Sequence, residues 1–173
     1  CSSDLDLIYK GYTIQPFSPA AGTGLSSHEL NQPGTYKDVK DVSAVAQFKI
    51  KRNERSEFLF EGLDNEDVHC IAWTTTPWTL PSNTALAVGK KISYVRVKTY
   101  NPYTKLKVNI ILAKDLLGKW FKPEHEALDF DAFQETDKDI PFRVEAEFKG
   151  EQLELVDYEQ LLPYVQPEEG EAF

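Results

Sequence analysis

Two alternating stretches limit what this chain can fold into. Ser93 to Thr99 carries Tyr94, Val95, Val97 and Thr99, and Leu106, Val108, Ile110 and Leu112 repeat every second residue. That period gathers apolar side chains on one side only if the backbone is extended, because successive strand residues face opposite ways. Asn101-Pro102-Tyr103-Thr104 lies between the two stretches and reads as the turn of a hairpin.

More strand signals flank this pair. Val42 to Ile50 alternates imperfectly, and the charged turn Lys51 to Arg55 leads into Phe58-Leu59-Phe60. Val68 to Trp73 is a short continuous apolar run, as expected of a central strand. Thr84 to Val88 continues in the same vein until Gly89, and Arg143 to Phe148 alternates again. Asp115 to Phe121 predicts a short helix, with Leu116, Leu117, Trp120 and Phe121 at helical spacing. Up to about Asn31 the chain reads as irregular. Pro16 confines Tyr12–Phe17 to a sheet edge, and Ser26–Leu30 opens one helical turn that Pro33-Gly34 ends. The acidic stretch Glu124–Asp139 reads as a solvated surface insertion. The expected fold is mainly β with a few short helices, closed or nearly closed into a β-barrel.

Composition excludes several classes of function. Apolar and aromatic contents of 41% and 12% are globular values, and no run approaches the roughly 20 apolar residues of a membrane span. No charged-then-apolar leader opens the chain, and the absence of methionine implies an excised piece of something larger. Cys1 and Cys70 are too few and too far apart for a disulfide framework, which fits a reducing, cytoplasmic setting. Cys70 reads as a buried, inert thiol. The net charge of −9 opposes autonomous nucleic-acid binding, although a single-stranded end delivered by another domain remains compatible with it.

The three histidines, His28, His69 and His125, stand far apart and no Cys-x-x-Cys pair exists, so no metal site is expected. His69 reads as a half-buried structural residue, and His125 is assigned nothing specific. Gly22-Thr23-Gly24 lacks the lysine and the strand-to-helix frame of a phosphate loop and reads as backbone architecture. No nucleophile elbow is present.

There remains Trp73-Thr74-Thr75-Thr76-Pro77-Trp78-Thr79-Leu80-Pro81-Ser82-Asn83. Of the ten residues from Thr74 to Asn83, six carry a hydroxyl or amide, and two prolines stiffen the segment while removing backbone donors. Clustered donors and acceptors beside Trp78 and Leu80 suit a small ligand of mixed polarity and an ordered water. On residue types alone the simpler account, a Thr-rich strand end leading into a capped helical turn, is favoured.

The run from Trp73 to Val88 closely resembles the threonine-rich peptide of isoleucyl-tRNA synthetase editing domains. Valyl and leucyl relatives have a Thr-Thr-Arg-Pro pattern followed by an acidic residue there, whereas here Thr76 precedes Pro77 and Trp78 follows it. Tyr9 to Glu29 resembles the segment leading into that family's editing insertion, and Phe148 to Tyr164 resembles a later part of it. Together these cover about half the chain. The resemblance implies residues 1–35 as the lead-in from a class I catalytic domain and 36–173 as an editing domain truncated at its C-terminal end. The implied activity is hydrolysis of valine esterified to the isoleucine tRNA. The implied partners are the 3′ end of that tRNA, valine and the remainder of the synthetase, with no membrane.

On this resemblance Thr74, Thr75 and Thr76 hold the ester carbonyl, the ribose hydroxyls and the attacking water. Trp73, Trp78, Leu80 and Asn83 bind substrate, Trp78 as a size-limiting wall. No cofactor is implied here, since ATP and Mg belong to the parent enzyme's catalytic domain. The family's zinc-knuckle cysteines are replaced by Ser18 to Gly24, and its second motif (Gly-Thr-Gly, a His and an acidic pair beyond Leu162-Pro163-Tyr164) is expected past Phe173, outside this chain, which implies half a site. The alternatives are an editing domain of a valyl or leucyl enzyme, or a noncatalytic module that guides the tRNA 3′ end.

Overall fold

The structure, a computed structural model, describes residues 11–164 and 172–173. They fall into two compact units, one ending at Asp41 and one running from Val42 to Phe173.

In the first unit β1 (Phe17–Ser18) and β2 (Thr23–Gly24) form a two-residue antiparallel ladder. Gly22, at φ 67°, closes the turn and donates its N–H to the Ser18 carbonyl at 2.8 Å. The strand character of Tyr12–Phe17 shrinks to its last residue, since Pro16 has no N–H to extend the pairing backwards. Helix α1 (Ser27–Leu30) is the single turn expected from the sequence. Ser26 and Glu29 cap it reciprocally: the Ser26 hydroxyl accepts from the Glu29 N–H, and the Glu29 carboxylate accepts from the Ser26 N–H at 2.7 Å. Donation to that carboxylate from the Ser26 N–H, and from the Ser26 hydroxyl at 2.9 Å, holds the Glu29 carboxyl below the usual carboxylate range.

The second unit is built on β3 (Ala44–Lys49), β4 (Val68–Thr74), β5 (Ser93–Tyr100), β6 (Lys107–Ala113) and β7 (Phe142–Lys149), with a short helix α2 (Leu117–Trp120) after β6. The strand order is β3-β4-β6-β5-β7. Every pairing is antiparallel except β4 with β6, which run parallel over Val68–Cys70 against Asn109–Ile111. The β5–β6 hairpin lies where the alternation places it. Among the described residues the sheet is open, with β3 and β7 as its edges, and does not close into a barrel. After β7 the chain turns through a 3₁₀ segment, Gly150–Leu153, and meets the end of β3 instead of returning β7 to it. Ile50 bridges Tyr158, Lys51 N–H reaches the Asp157 carbonyl at 2.9 Å, and Glu159 N–H reaches Lys49 at 2.7 Å.

Alternation along the strands buries a core on each face. Phe48, Val68, Ile111, Phe148 and Tyr158 pack with Leu59 and Phe60 on one side. Val95, Val97, Ile110, Leu112 and Phe142 pack against Leu117 and Phe121 on the other. Phe58-Leu59-Phe60 belongs to a 3₁₀ turn, Glu57–Phe60, whose end is held by buried Arg96. That guanidinium donates to the Leu59 carbonyl at 2.7 Å, to Glu61 at 2.9 Å and to the Glu145 carboxylate at 3.2 Å. Satisfying backbone carbonyls in this way offsets much of the cost of burying the charge.

One sequence expectation gives way here and another gains detail. Thr84–Val88 forms no strand; its residues carry no regular structure. The acidic stretch lies at the surface as its composition implies, and it is anchored there because Phe130 and Phe133 stack on Tyr100 at 4.7 and 4.2 Å between ring centroids. Arg143 pins it further by donating to the Glu126 and Leu128 carbonyls. His125, assigned nothing specific from sequence, sits 3.3 Å from Asp139 Oδ1. Among the described residues no helix is long and apolar enough to cross a membrane.

Candidate functional site

Strand β4 delivers the threonine-rich peptide. Its Val45 and Ala44 partners on β3 pair with Trp73 and Thr74, and there the ladder ends. Pro77 starts a 3₁₀ turn, Pro77–Ser82, at the position where a missing N–H costs nothing. The reversal folds the polar side chains onto one another. Thr74 Oγ1 accepts from the Thr76 N–H at 3.0 Å and lies 3.3 Å from Thr76 Oγ1. Thr76 Oγ1 lies 3.4 Å from Thr79 Oγ1, which donates to the Thr76 carbonyl at 2.8 Å. With its proton committed there, Thr79 is the acceptor in the contact with Thr76. The result is a row of three hydroxyls.

Sequence reasoning singled out two members of that row, Thr74 and Thr76, and left Thr79 unassigned. Its signal is the three-residue spacing from Thr76, which a 3₁₀ turn eclipses. Thr75 lies outside the row; it is exposed and its hydroxyl is free among the described residues. Trp73 and Trp78 are 61% and 66% exposed, large apolar surfaces in the same peptide, with Trp73 on the opposite face of β4 from Thr74. Leu80 is half-buried and packs on the core, so it supports the turn from beneath. Asn83 is internally committed: its Nδ2 donates to the Ala85 carbonyl at 3.0 Å, and its Oδ1 accepts from Tyr158 at 2.7 Å.

A cavity of about 1080 Å³ starts just past this peptide. Thr84, Leu86, Cys70, Leu153, Tyr158 and Phe173 line it, and no member of the hydroxyl row does. Burial pushes the Cys70 thiol up to about 12, so it is protonated and inert at neutral pH, as its setting in an apolar run implied. His69, also on β4, has its pKa lowered chiefly by burial, and its Nδ1 is buried without a partner. No carboxylate or imidazole is hydrogen-bonded to the hydroxyl row among the described residues. No cluster of three His, Cys, Asp or Glu suited to a metal occurs among them.

No family model matches the chain. Curated relatives do. The isoleucine–tRNA ligase of Cytophaga hutchinsonii is 59% identical over 162 residues, 94% of this chain, and that of Bacteroides fragilis is 57% identical over 95%. The chain belongs to the isoleucine–tRNA ligase family. A more distant ligase, from Clostridium tetani, is 40% identical over 97% of the chain. The chain spans only 14% of the length of the Cytophaga ligase. Trp73–Asn83 lies well inside the span shared with these ligases, which leaves few residues unaligned at the ends.

Proposed function

We propose that this segment supplies one wall of a proofreading site in isoleucine–tRNA ligase, where valine attached to the isoleucine tRNA is hydrolysed off. The observation that carries the reading is the row of hydroxyls Thr74, Thr76 and Thr79, in a peptide that also exposes Trp78. The need for such a site is energetic. Valine and isoleucine differ by one methylene, worth about 1–3 kcal/mol in a binding pocket, so a second site is required for high selectivity.

An aminoacyl ester is already activated, and positioning a water contributes more than a strong nucleophile would. The free Thr75 hydroxyl donates to the ester carbonyl and Thr76 Oγ1, its own proton given to Thr79, accepts from the water, with Thr74 behind them. The water oxygen bonds to the carbonyl carbon and the bond to the ribose oxygen breaks. That ribose oxygen takes up a proton released by the water, and the neighbouring ribose hydroxyl assists the transfer. Trp78 forms the wall that limits side-chain size, and Trp73 contributes to binding the substrate. The second N–H of Asn83 remains available to the terminal nucleotide. Within the same reading, 36–173 is the editing portion, 1–35 leads into it, and closure into a barrel requires strands beyond this sheet. The 3′ end of the tRNA and the rest of the ligase are the partners, in the cytoplasm, with ATP and Mg used elsewhere in the enzyme.

The test uses a full-length ligase carrying this segment. Thr75→Ala with Thr76→Ala is expected to slow deacylation of valyl-tRNA(Ile) about a hundredfold while isoleucyl-tRNA(Ile) formation continues. Unchanged deacylation would count against the hydrolytic role. If a nonhydrolysable valyl-adenosine analogue still bound in that case, the segment would be a guide for the tRNA end.

A further inference from the structure

We infer that Tyr158 is a positioning residue for the threonine-rich turn, acting through Asn83; the inference rests on the proofreading reading. Tyr158 is 5% exposed and lies 75 residues from Asn83 in sequence. Its ring packs edge-on against Phe48 of β3 at 5.3 Å and against Phe173 at 5.8 Å, and its backbone bridges Ile50. The phenol is therefore fixed by the core, and desolvation raises its pKa, which keeps the hydroxyl a donor.

The direction of each bond follows from chemistry. The Ala85 carbonyl can only accept, so the Asn83 amide must present Nδ2 to it. Oδ1 then faces Tyr158, whose hydroxyl donates across 2.7 Å. Asn83 is also the residue where the 3₁₀ turn ends, its N–H bonded to the Leu80 carbonyl at 3.1 Å. One amide thus joins the end of the turn to the packed core. Without the phenol, Asn83 keeps only local bonds, and the amide is free to rotate with the turn that carries Thr79 and Thr76.

Tyr158→Phe removes the hydroxyl and leaves the ring in place. In the full-length ligase the variant is expected to lower kcat for valyl-tRNA(Ile) deacylation about tenfold, with KM and isoleucylation little changed. Because Tyr158 acts through Asn83, the double variant Tyr158→Phe/Asn83→Ala should be no slower than Asn83→Ala alone. Multiplying losses in the double variant, or a loss shared equally by isoleucylation and thermal stability, would overturn the inference and leave Tyr158 a structural residue. Thr75→Ala/Thr76→Ala runs alongside. If that pair slows deacylation and Tyr158→Phe does not, this inference alone fails; if the pair has no effect, the proofreading reading falls and this inference with it.

Discussion

Asn83 and Cys70 show how differently two residues of one neighbourhood can be read from sequence. The threonines and Asn83 are legible because their identities are unusual in a short span. What they touch is not legible: the partner of Asn83 is Tyr158, and no local pattern announces a bond across 75 residues. Cys70 is legible in full, since an apolar run and the lack of a base partner already imply an inert thiol. The structure adds a sign. The folded-state thiol, at about 12, lies above its ordinary 9.0, so the folded chain keeps a proton that the unfolded chain releases. Stability is accordingly unaffected by this group below about pH 9 and falls as pH rises from there toward 12. With Cys1→Ser in the background, alkylation of Cys70 at pH 8 should be about a thousandfold slower in the folded chain than in urea. Mass spectrometry of the alkylated fraction measures it, and equal rates would show that the thiol is solvated.

At the scale of elements, the strands with the clearest alternation emerge where their period puts them. The β5–β6 hairpin needs only a two-residue repeat and a turn, both local. Thr84–Val88 fails because an apolar run says nothing about what lies beside it, and no neighbouring strand offers it a ladder. Barrel closure is likewise not a local property; it depends on where the chain goes after β7. Gly150 governs that step. A Cβ there would lie 2.1 Å from the Gly89 carbonyl oxygen, a backbone atom that cannot step aside. The close approach lets Gly150 N–H reach the Ile92 carbonyl at 2.9 Å. Gly150→Ala should therefore destabilise the chain by about 1–3 kcal/mol, read as a lower urea midpoint with an unchanged slope. An unaltered midpoint would mean that the junction is looser than its geometry.

For the whole molecule, charge is the property most directly read from composition. A net −9 surrounds this segment, so under the proposed function affinity for the tRNA has to come from elsewhere in the ligase. Fluorescence anisotropy should detect no binding of tRNA by this 173-residue chain up to about 100 μM in about 0.15 M salt; micromolar binding would refute the argument. The sheet carries a further consequence. β4 is laddered to β3 along His69–Thr74 but to β6 only across Val68–Cys70. Its last four residues hang on β3 alone, and opening them breaks one ladder instead of two. The hydroxyl row is rooted at Thr74, on that singly held end. Any ligand that grips the row also holds the end closed, so occupancy and local breathing are thermodynamically linked, and whatever tightens Ala44 against Thr74 tightens the grip in equal measure.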